Sequence, residues 1–247
     1  MSYSIIPLNV GDFEALPKQT CMYRMYREVT YKAPCIMWYL KGTKNNIVVD
    51  LGPADPDQCL KNHGFVIKKD KKQNPAAALE SIGVSADDVK IAIVTHLHWD
   101  HSWGFHFFKN ARFWVQKKEM EFAIAPLPCH RSIYYEQSEG KPTFVDYLDR
   151  VDIIEGDKEI EKGVEAVFIP GHSTGFQGVS VQTGKGKYLI AGDAVGLFEC
   201  WERDPHVPSG LFVNLEVYYE SMAKIDRVAD FVLPGHDGKV FDKPIYP

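Results

Sequence analysis

A mixed α/β fold is what this 247-residue chain predicts, on three observations. Short apolar runs rich in β-branched residues recur between turn signals, which is the mark of buried strands. Stretches with helical spacing and capping residues fall between some of those runs. The two kinds do not alternate steadily, which excludes a barrel or a doubly wound sheet and leaves strand groups mixed with helices.

Along the chain, CIMWYL (35–40), NIVVDLG (46–52), KIAIVTH (90–96), RFWVQ (112–116), VDIIEGD (151–157), EAVFIPGH (165–172) and KYLIAGD (187–193) each read as a strand. ADFVL (229–233) is a further strand-like run. NPAAALESIG (74–83) reads as a helix, with Asn74 as N-cap, Pro75 in the first turn and Gly83 as the stop. KKEMEFAIA and NLEVYYESMAKIDRVAD are the next two helices. Residues 61–73, 125–143 and 199–212 read as surface insertions. The lysine-rich first is expected to be a solvated loop, with an anion-steering rim as the alternative. The other two mix Pro with aromatic residues and His, which suits loops that cover a pocket. No repeat, low-complexity run or Pro/Gly linker divides the chain, so one domain over residues 1–247 is expected.

A net charge of -5 argues against a nucleic-acid or anionic-membrane partner and leaves a small molecule as the expected one. No apolar run approaches the ~18 residues of a membrane span, and the start lacks the pattern of a secretory signal. Cys21, Cys35, Cys59, Cys129 and Cys200 are scattered without a C-x-x-C pair. That favours reduced thiols, acting as small hydrophobes, in a cytoplasmic protein. A homo-oligomer is compatible with this composition.

The chemistry concentrates in THLHWDHSWG (95–104), where three of the nine histidines fall within six residues. Protonated imidazoles that close would repel one another, and buried without partners they would be costly. A divalent metal removes both difficulties, because it takes neutral imidazole and ionised carboxylate ligands. On extended backbone His96 and His98 point the same way and can clasp one ion, while Asp100 and His101 point elsewhere and suit a second. His172 in FIPGHSTG, Asp193 in LIAGDAVG and His236 in FVLPGHDG follow further strand-like runs, each preceded by a glycine that lets the chain turn. Seven ligand-type residues at strand ends point to one convergent site.

The set H-x-H-x-D-H, P-G-H-S, G-D and G-H resembles the metallo-β-lactamase superfamily in order and spacing over most of the chain. Within it, the entry segment, the long insertion before the motif, the EGD turn and the tail LPGHDGKVFDKPIYP are most similar to the N-acyl-homoserine lactonase group. The resemblance implies an αββα sandwich, two mixed sheets flanked by helices, with a dinuclear site at one edge. It implies that His96, His98 and His172 hold one divalent ion, that Asp100, His101 and His236 hold the other, and that Asp193 bridges them. Zinc is the first expectation, with iron, manganese or cobalt as alternatives. The implied activity is opening of a small lactone, or a related cyclic amide or imide, by a hydroxide shared between the metals, with Asp100 passing a proton to the leaving atom. A glyoxalase II-like thioesterase and an iron-dependent oxidoreductase of the same superfamily are the alternatives.

Two departures from that family bear on the substrate. Gly196 stands where lactonases of the group usually carry a tyrosine that bonds the substrate carbonyl; Tyr134, Tyr135, Tyr218, His130 and His206 are the candidates to replace it. HSWGF stands where a small residue and two glycines are common, so Trp103, together with Trp99 inside the motif, is expected to wall an apolar pocket above the metals.

Overall fold

The run CIMWYL is apolar at every position because its strand is buried on both faces. Ile36, Trp38 and Leu40 belong to one apolar cluster, whereas Cys35, Met37 and Tyr39 belong to another, as two-residue alternation requires. The computed structural model describes residues 3–135 and 140–247. Its strands are β1 (Ser4–Pro17), β2 (Thr30–Lys41), β3 (Asn46–Val49), β4 (Ile67–Lys68), β5 (Val89–Ile93), β6 (Arg112–Gln116), β7 (Val151–Ile154), β8 (Lys158–Glu161), β9 (Val164–Phe168), β10 (Gln177–Thr183), β11 (Gly186–Gly192) and β12 (Phe231–Pro234). The helices are α1 (Lys18–Cys21), α2 (Pro56–His63), α3 (Pro75–Glu80), α4 (Trp99–Ser102), α5 (Lys117–Ile124), α6 (Arg131–Tyr134), α7 (Phe198–Glu202) and α8 (Leu215–Val228).

Two mixed sheets result. The first runs β4-β1-β2-β3-β5-β6-β7 and the second β12-β11-β10-β9-β8. The apolar cluster between them joins Ile36, Trp38, Ile47, Val49 and Ile93 of the first sheet to Val164, Val179, Ile190 and Leu233 of the second. The other cluster joins Val48, Ala92 and Phe113 to Leu79 of α3 and Ala123 of α5, and takes in Leu189 with Ile225 of α8. Helices therefore cover the outer faces, which makes the αββα layering.

Every strand expected from the sequence is present, though several end sooner, because their last residues turn into the site. The Asn74 cap acts as read, its side chain accepting from Ala77 N at 2.9 Å, and the structure adds a second cap at α8, where Asn214 accepts from Val217 N at 3.1 Å. β1 went unread because two prolines and a glycine interrupt it. Pro7 is tolerated since, among the described residues, it has no ladder partner on the side away from β2: β4 pairs only Asp12 and Phe13, and the C-terminal bridge is at Ile5. The insertions are more ordered than loops. Residues 61–73 include the end of α2 and the short β4, and Lys69 Nζ donates to Pro53 O at 2.7 Å. Residues 125–143 hold α6, with 136–139 outside the described residues, and 199–212 hold most of α7.

Strand direction sets where the site lies. β10 is antiparallel to both β9 and β11, and β11 is parallel to β12, so β9, β11 and β12 end at one edge of the second sheet. Gln177, wholly buried, ties that edge to the end of β5. Its backbone N donates to Thr95 O (2.9 Å), and its side-chain amide donates to Val94 O (2.8 Å) and Trp114 O (3.0 Å).

The loop after β5 also lies tightly on the loop after β3: Leu51 N donates to His101 O at 2.8 Å. A Cβ at Gly104 would stand 2.2 Å from the Leu51 carbonyl oxygen. Gly104→Ala should therefore cost about 1–3 kcal/mol in chemical denaturation. An unchanged unfolding midpoint would show that the two loops tolerate separation.

Candidate metal centre

β5, β9, β11 and β12 each deliver ligand-type side chains just past their ends, and the seven residues picked from the sequence come together there. Their donor atoms form three overlapping groups: His96, His98 and His172; His96, His101 and Asp193; and Asp100, His101 and His236. The five histidines are only 0–3% exposed.

Hydrogen bonding fixes which way four of the rings present their nitrogens. His101 Nδ1 faces Asp50 Oδ2 (2.9 Å), His172 Nδ1 faces Leu211 O (2.8 Å) and His236 Nδ1 faces Pro34 O (2.9 Å). These oxygens only accept, so each Nδ1 carries the proton. His96 Nδ1 lies 3.0 Å from Thr95 Oγ1, whose single proton goes to Asp50, so this ring too is protonated at Nδ1. All four Nε2 atoms are then turned to one enclosed space. His98 turns Nδ1 to the same space, 3.1 Å from His172 Nε2.

Asp193 lies between the groups. Its Oδ1 is 3.2 Å from His101 Nε2 and 3.1 Å from His236 Nε2, and its Oδ2 is 3.5 Å from His172 Nε2. Asp100 Oδ2 lies 3.5 Å from the Nε2 atoms of both His101 and His236. Yet His96 Nε2, His101 Nε2 and Asp193 Oδ1 are buried without an aligned hydrogen bond among the described residues. Buried polar atoms in that condition are costly unless a cation joins them. Imidazoles and carboxylates in this arrangement suit divalent metals, so the residues fit such a cation.

Protonation preferences divide the site. Burial pushes His96 and His98 well below the ordinary histidine value and His172 down to about 4, with neighbouring histidines adding to the effect. Burial acts the same way on His101 and His236, but the adjacent carboxylates, Asp193 and Asp100 among them, outweigh it and raise both. Asp193 is held well below the carboxylate range: burial opposes ionisation, and His236 and His101 overcome it. One half therefore favours neutral imidazoles, whereas in the other the carboxylates favour a positive charge at His101 and His236.

Two residues that the motif did not point to hold this arrangement in place. Asp50, just past β3 with a left-handed φ of 60°, accepts from Thr95 N (2.8 Å) and Thr95 Oγ1 as well as from His101. Glu119 on α5 is wholly buried and accepts four bonds: Leu97 N (3.0 Å) and Tyr134 Oη (3.0 Å) at one oxygen, Ser173 Oγ (2.6 Å) and Gly175 N (3.0 Å) at the other. It therefore clamps the residue between His96 and His98 to the residues after His172. Nothing in KKEMEF distinguishes this carboxylate from a solvated one. Asp50 at least stood at a strand end.

Above the site is a cavity of about 80 Å³. Its floor holds His98, Asp100, His172, Asp193 and His236, and its walls include Phe13, Leu16, Trp99 and Cys21. Each insertion adds one wall residue: Phe65, Ile133 and Leu211. Trp99 stacks on His63 (4.4 Å between centroids) and meets Phe13 edge-on (5.6 Å). Trp103 lies outside the lining, with its ring edge-on to His106 at 4.5 Å. At Gly196 an added Cβ would stand 2.8 Å from Cys21 Cβ, so Cys21 occupies the space beside that glycine. None of Tyr134, Tyr135, Tyr218, His130 and His206 lines the cavity. Tyr134 bonds Glu119, Tyr135 donates to Ile124 O, Tyr218 Oη sits between the carbonyls of Asp193 and Ala194, and His206 stacks on Trp201.

A profile of the metallo-beta-lactamase superfamily matches residues 32–241. The chain belongs to that superfamily. It is 29% identical over 219 residues to the N-acyl homoserine lactonase AiiA of Bacillus thuringiensis subsp. kurstaki, covering 83% of this chain and 81% of the relative. A probable metallo-hydrolase of Methanocaldococcus jannaschii is 27% identical over 177 residues, covering 72% and 71%. Among solved structures, a B. thuringiensis AiiA variant with N-decanoyl-L-homoserine at its active site superimposes with a TM-score of 0.80 at 24% identity, covering 98% of this chain and 96% of that one. An N-acyl homoserine lactone hydrolase with N-hexanoyl-L-homoserine at its catalytic metal centre gives 0.79 at 23%, with the same coverage. These likenesses show the metallo-beta-lactamase fold, and the chain is an enzyme similar to proteins named lactonases.

Glu119 supplies a direct check on how the site is held. In Glu119→Gln, an amide NH2 must face two donors whichever way it turns, and one of each pair is a backbone N–H that cannot rotate away. The variant should lose about 1–3 kcal/mol of stability. It should also bind metal roughly tenfold or more weakly, as loss of a supporting partner does elsewhere. Chelator competition and denaturation at wild-type values would show that Glu119 carries no such load.

Proposed function

We propose that the chain is a dinuclear metal-dependent hydrolase that opens a small cyclic ester, or a related cyclic amide or imide. The observation that carries this reading is Asp193, which turns one oxygen to His101 and His236 and the other to His172 at the floor of an apolar cavity. His96, His98 and His172 would hold one ion, Asp100, His101 and His236 the second, and Asp193 would bridge them. Zinc is the first candidate, since imidazole-rich sites take it readily. When bound, two such cations supply a hydroxide nucleophile near neutral pH and polarise the carbonyl under attack.

The chain's own residues do the rest. The cavity walls of Phe13, Leu16, Phe65 and Trp99 exclude water and seat the ring of the substrate by its apolar face. Asp100 lines the cavity and is the carboxylate placed to pass a proton to the leaving oxygen as the ring opens. The lactonase names of the relatives support a cyclic ester as the first substrate class.

Three outcomes follow. Elemental analysis of protein prepared without chelator should find about two ions per chain; one tightly held ion would contradict the bridging role of Asp193. In a panel of lactones, cyclic imides, lactams and thioesters, lactones should be turned over fastest, and turnover of thioesters alone would favour the glyoxalase-type alternative. Asp193→Ala should lose both ions together, whereas His172→Ala should chiefly loosen one. Separately, Trp99→Ala should raise KM for a flat cyclic substrate roughly tenfold, the scale of one buried aromatic contact. An unchanged KM would remove Trp99 from the binding wall.

A further inference from the structure

Thr20 and Leu211 line the metal cavity and also line a second, open groove of about 460 Å³, together with Gln19, Tyr23, Arg24 and Arg27. The two spaces thus adjoin across shared side chains. The groove is a built feature. Tyr23 N donates to Pro208 O (2.8 Å), Gly210 N and Ser209 Oγ both donate to Thr20 O (2.9 and 2.8 Å), and Tyr23 meets Phe212 edge-on at 5.1 Å. Those bonds hold the segment after α1 in an unusual course, with Arg24 and Tyr26 in the left-handed region at φ 59° and 50°. Side chains other than glycine adopt that region at a cost, so the surrounding structure must enforce it.

Charge at the groove is left uncompensated. Glu199, the acid packed beside this segment, is already taken by Lys18 (2.8 Å), Arg203 (2.5 Å) and Tyr26 Oη (2.6 Å). Arg24 and Arg27 have no hydrogen-bond or ion-pair partner among the described residues, in a chain whose net charge is -5. The metal cavity offers little else to a polar substrate: apart from ligand-type residues, its polar lining is Thr20 and Cys21.

We propose that the Arg24–Arg27 groove is an extension of the substrate site that binds a carboxylate at the far end of the substrate's side chain. This rests on the hydrolase reading for what occupies the metal floor. The reacting carbonyl would sit at the metals, an apolar chain would run past Leu16 and Leu211, and the terminal carboxylate would meet the guanidinium forks, whose geometry matches it.

Calorimetric titration of the metal-loaded protein with ring-opened products tests this without turnover. The probes are N-succinoyl-, N-adipoyl- and N-suberoyl-homoserine, each against the acyl-homoserine of equal length ending in methyl. At one chain length or more the carboxylate-ended probe should bind at least tenfold tighter, with the preference shrinking as salt is added. R24A/R27A should lose that preference while keeping wild-type metal content and wild-type affinity for the methyl-ended probes, and R24K/R27K should keep part of it. Equal affinities at all three lengths in the wild type, or a preference that survives in R24A/R27A, overturns the proposal. Hydrolysis of N-hexanoyl-homoserine lactone is assayed alongside. Its presence without a carboxylate preference leaves the hydrolase reading standing and removes the groove; a carboxylate preference without hydrolysis of any lactone does the reverse.

Discussion

Five imidazoles buried in one space are the constraint on which the rest of this structure depends. Unpartnered, they would cost far more than the fold's marginal stability permits. The chain answers by giving four of them an outward acceptor: Asp50, the Leu211 and Pro34 carbonyls, and Thr95, itself bound to Asp50. That orients the rings and aims each Nε2 inward, in groups that could hold a metal ion. Asp50 matters most here, because one carboxylate orients His101 directly and His96 through Thr95.

The fold supplies the convergence. Because β9, β11 and β12 end together, His172, Asp193 and His236 reach one edge, and Gln177 ties that edge to the strand leading to His96 and His98. Glu119 then fastens the two histidine-bearing loops to each other from below. The insertions complete the site from above, one apolar wall residue apiece. Floor and walls are not wholly separate parts of the chain: Trp99 lies between His98 and Asp100, and wall residue Leu211 offers its carbonyl to His172.

What could be read in the sequence follows from this arrangement. The candidate ligand set was legible because three histidines cluster within residues 96–101, and His172, Asp193 and His236 each follow a glycine after a strand-like run. Strands buried on both faces were legible as continuous apolar runs. β1 was not, since its prolines and glycine mask a strand whose pairing they do not break. Nor was Glu119: a carboxylate buried under four donors looks, in sequence, like any acid on an amphipathic helix. The tryptophans show the limit of local reasoning. Both stand beside the ligands in the chain, yet three-dimensional packing turns Trp99 to the cavity and Trp103 to His106. Cys21 beside Gly196 is a contact between distant segments, which spacing along the chain does not reveal.

The central claim is that Asp193 joins two metal positions held by different histidines. Anomalous diffraction from crystals of zinc-loaded protein tests it most directly. The account predicts two peaks flanking the Asp193 carboxylate, one against His96, His98 and His172 and the other against Asp100, His101 and His236. A single peak at full occupancy, or a second ion held away from Asp193, would contradict it.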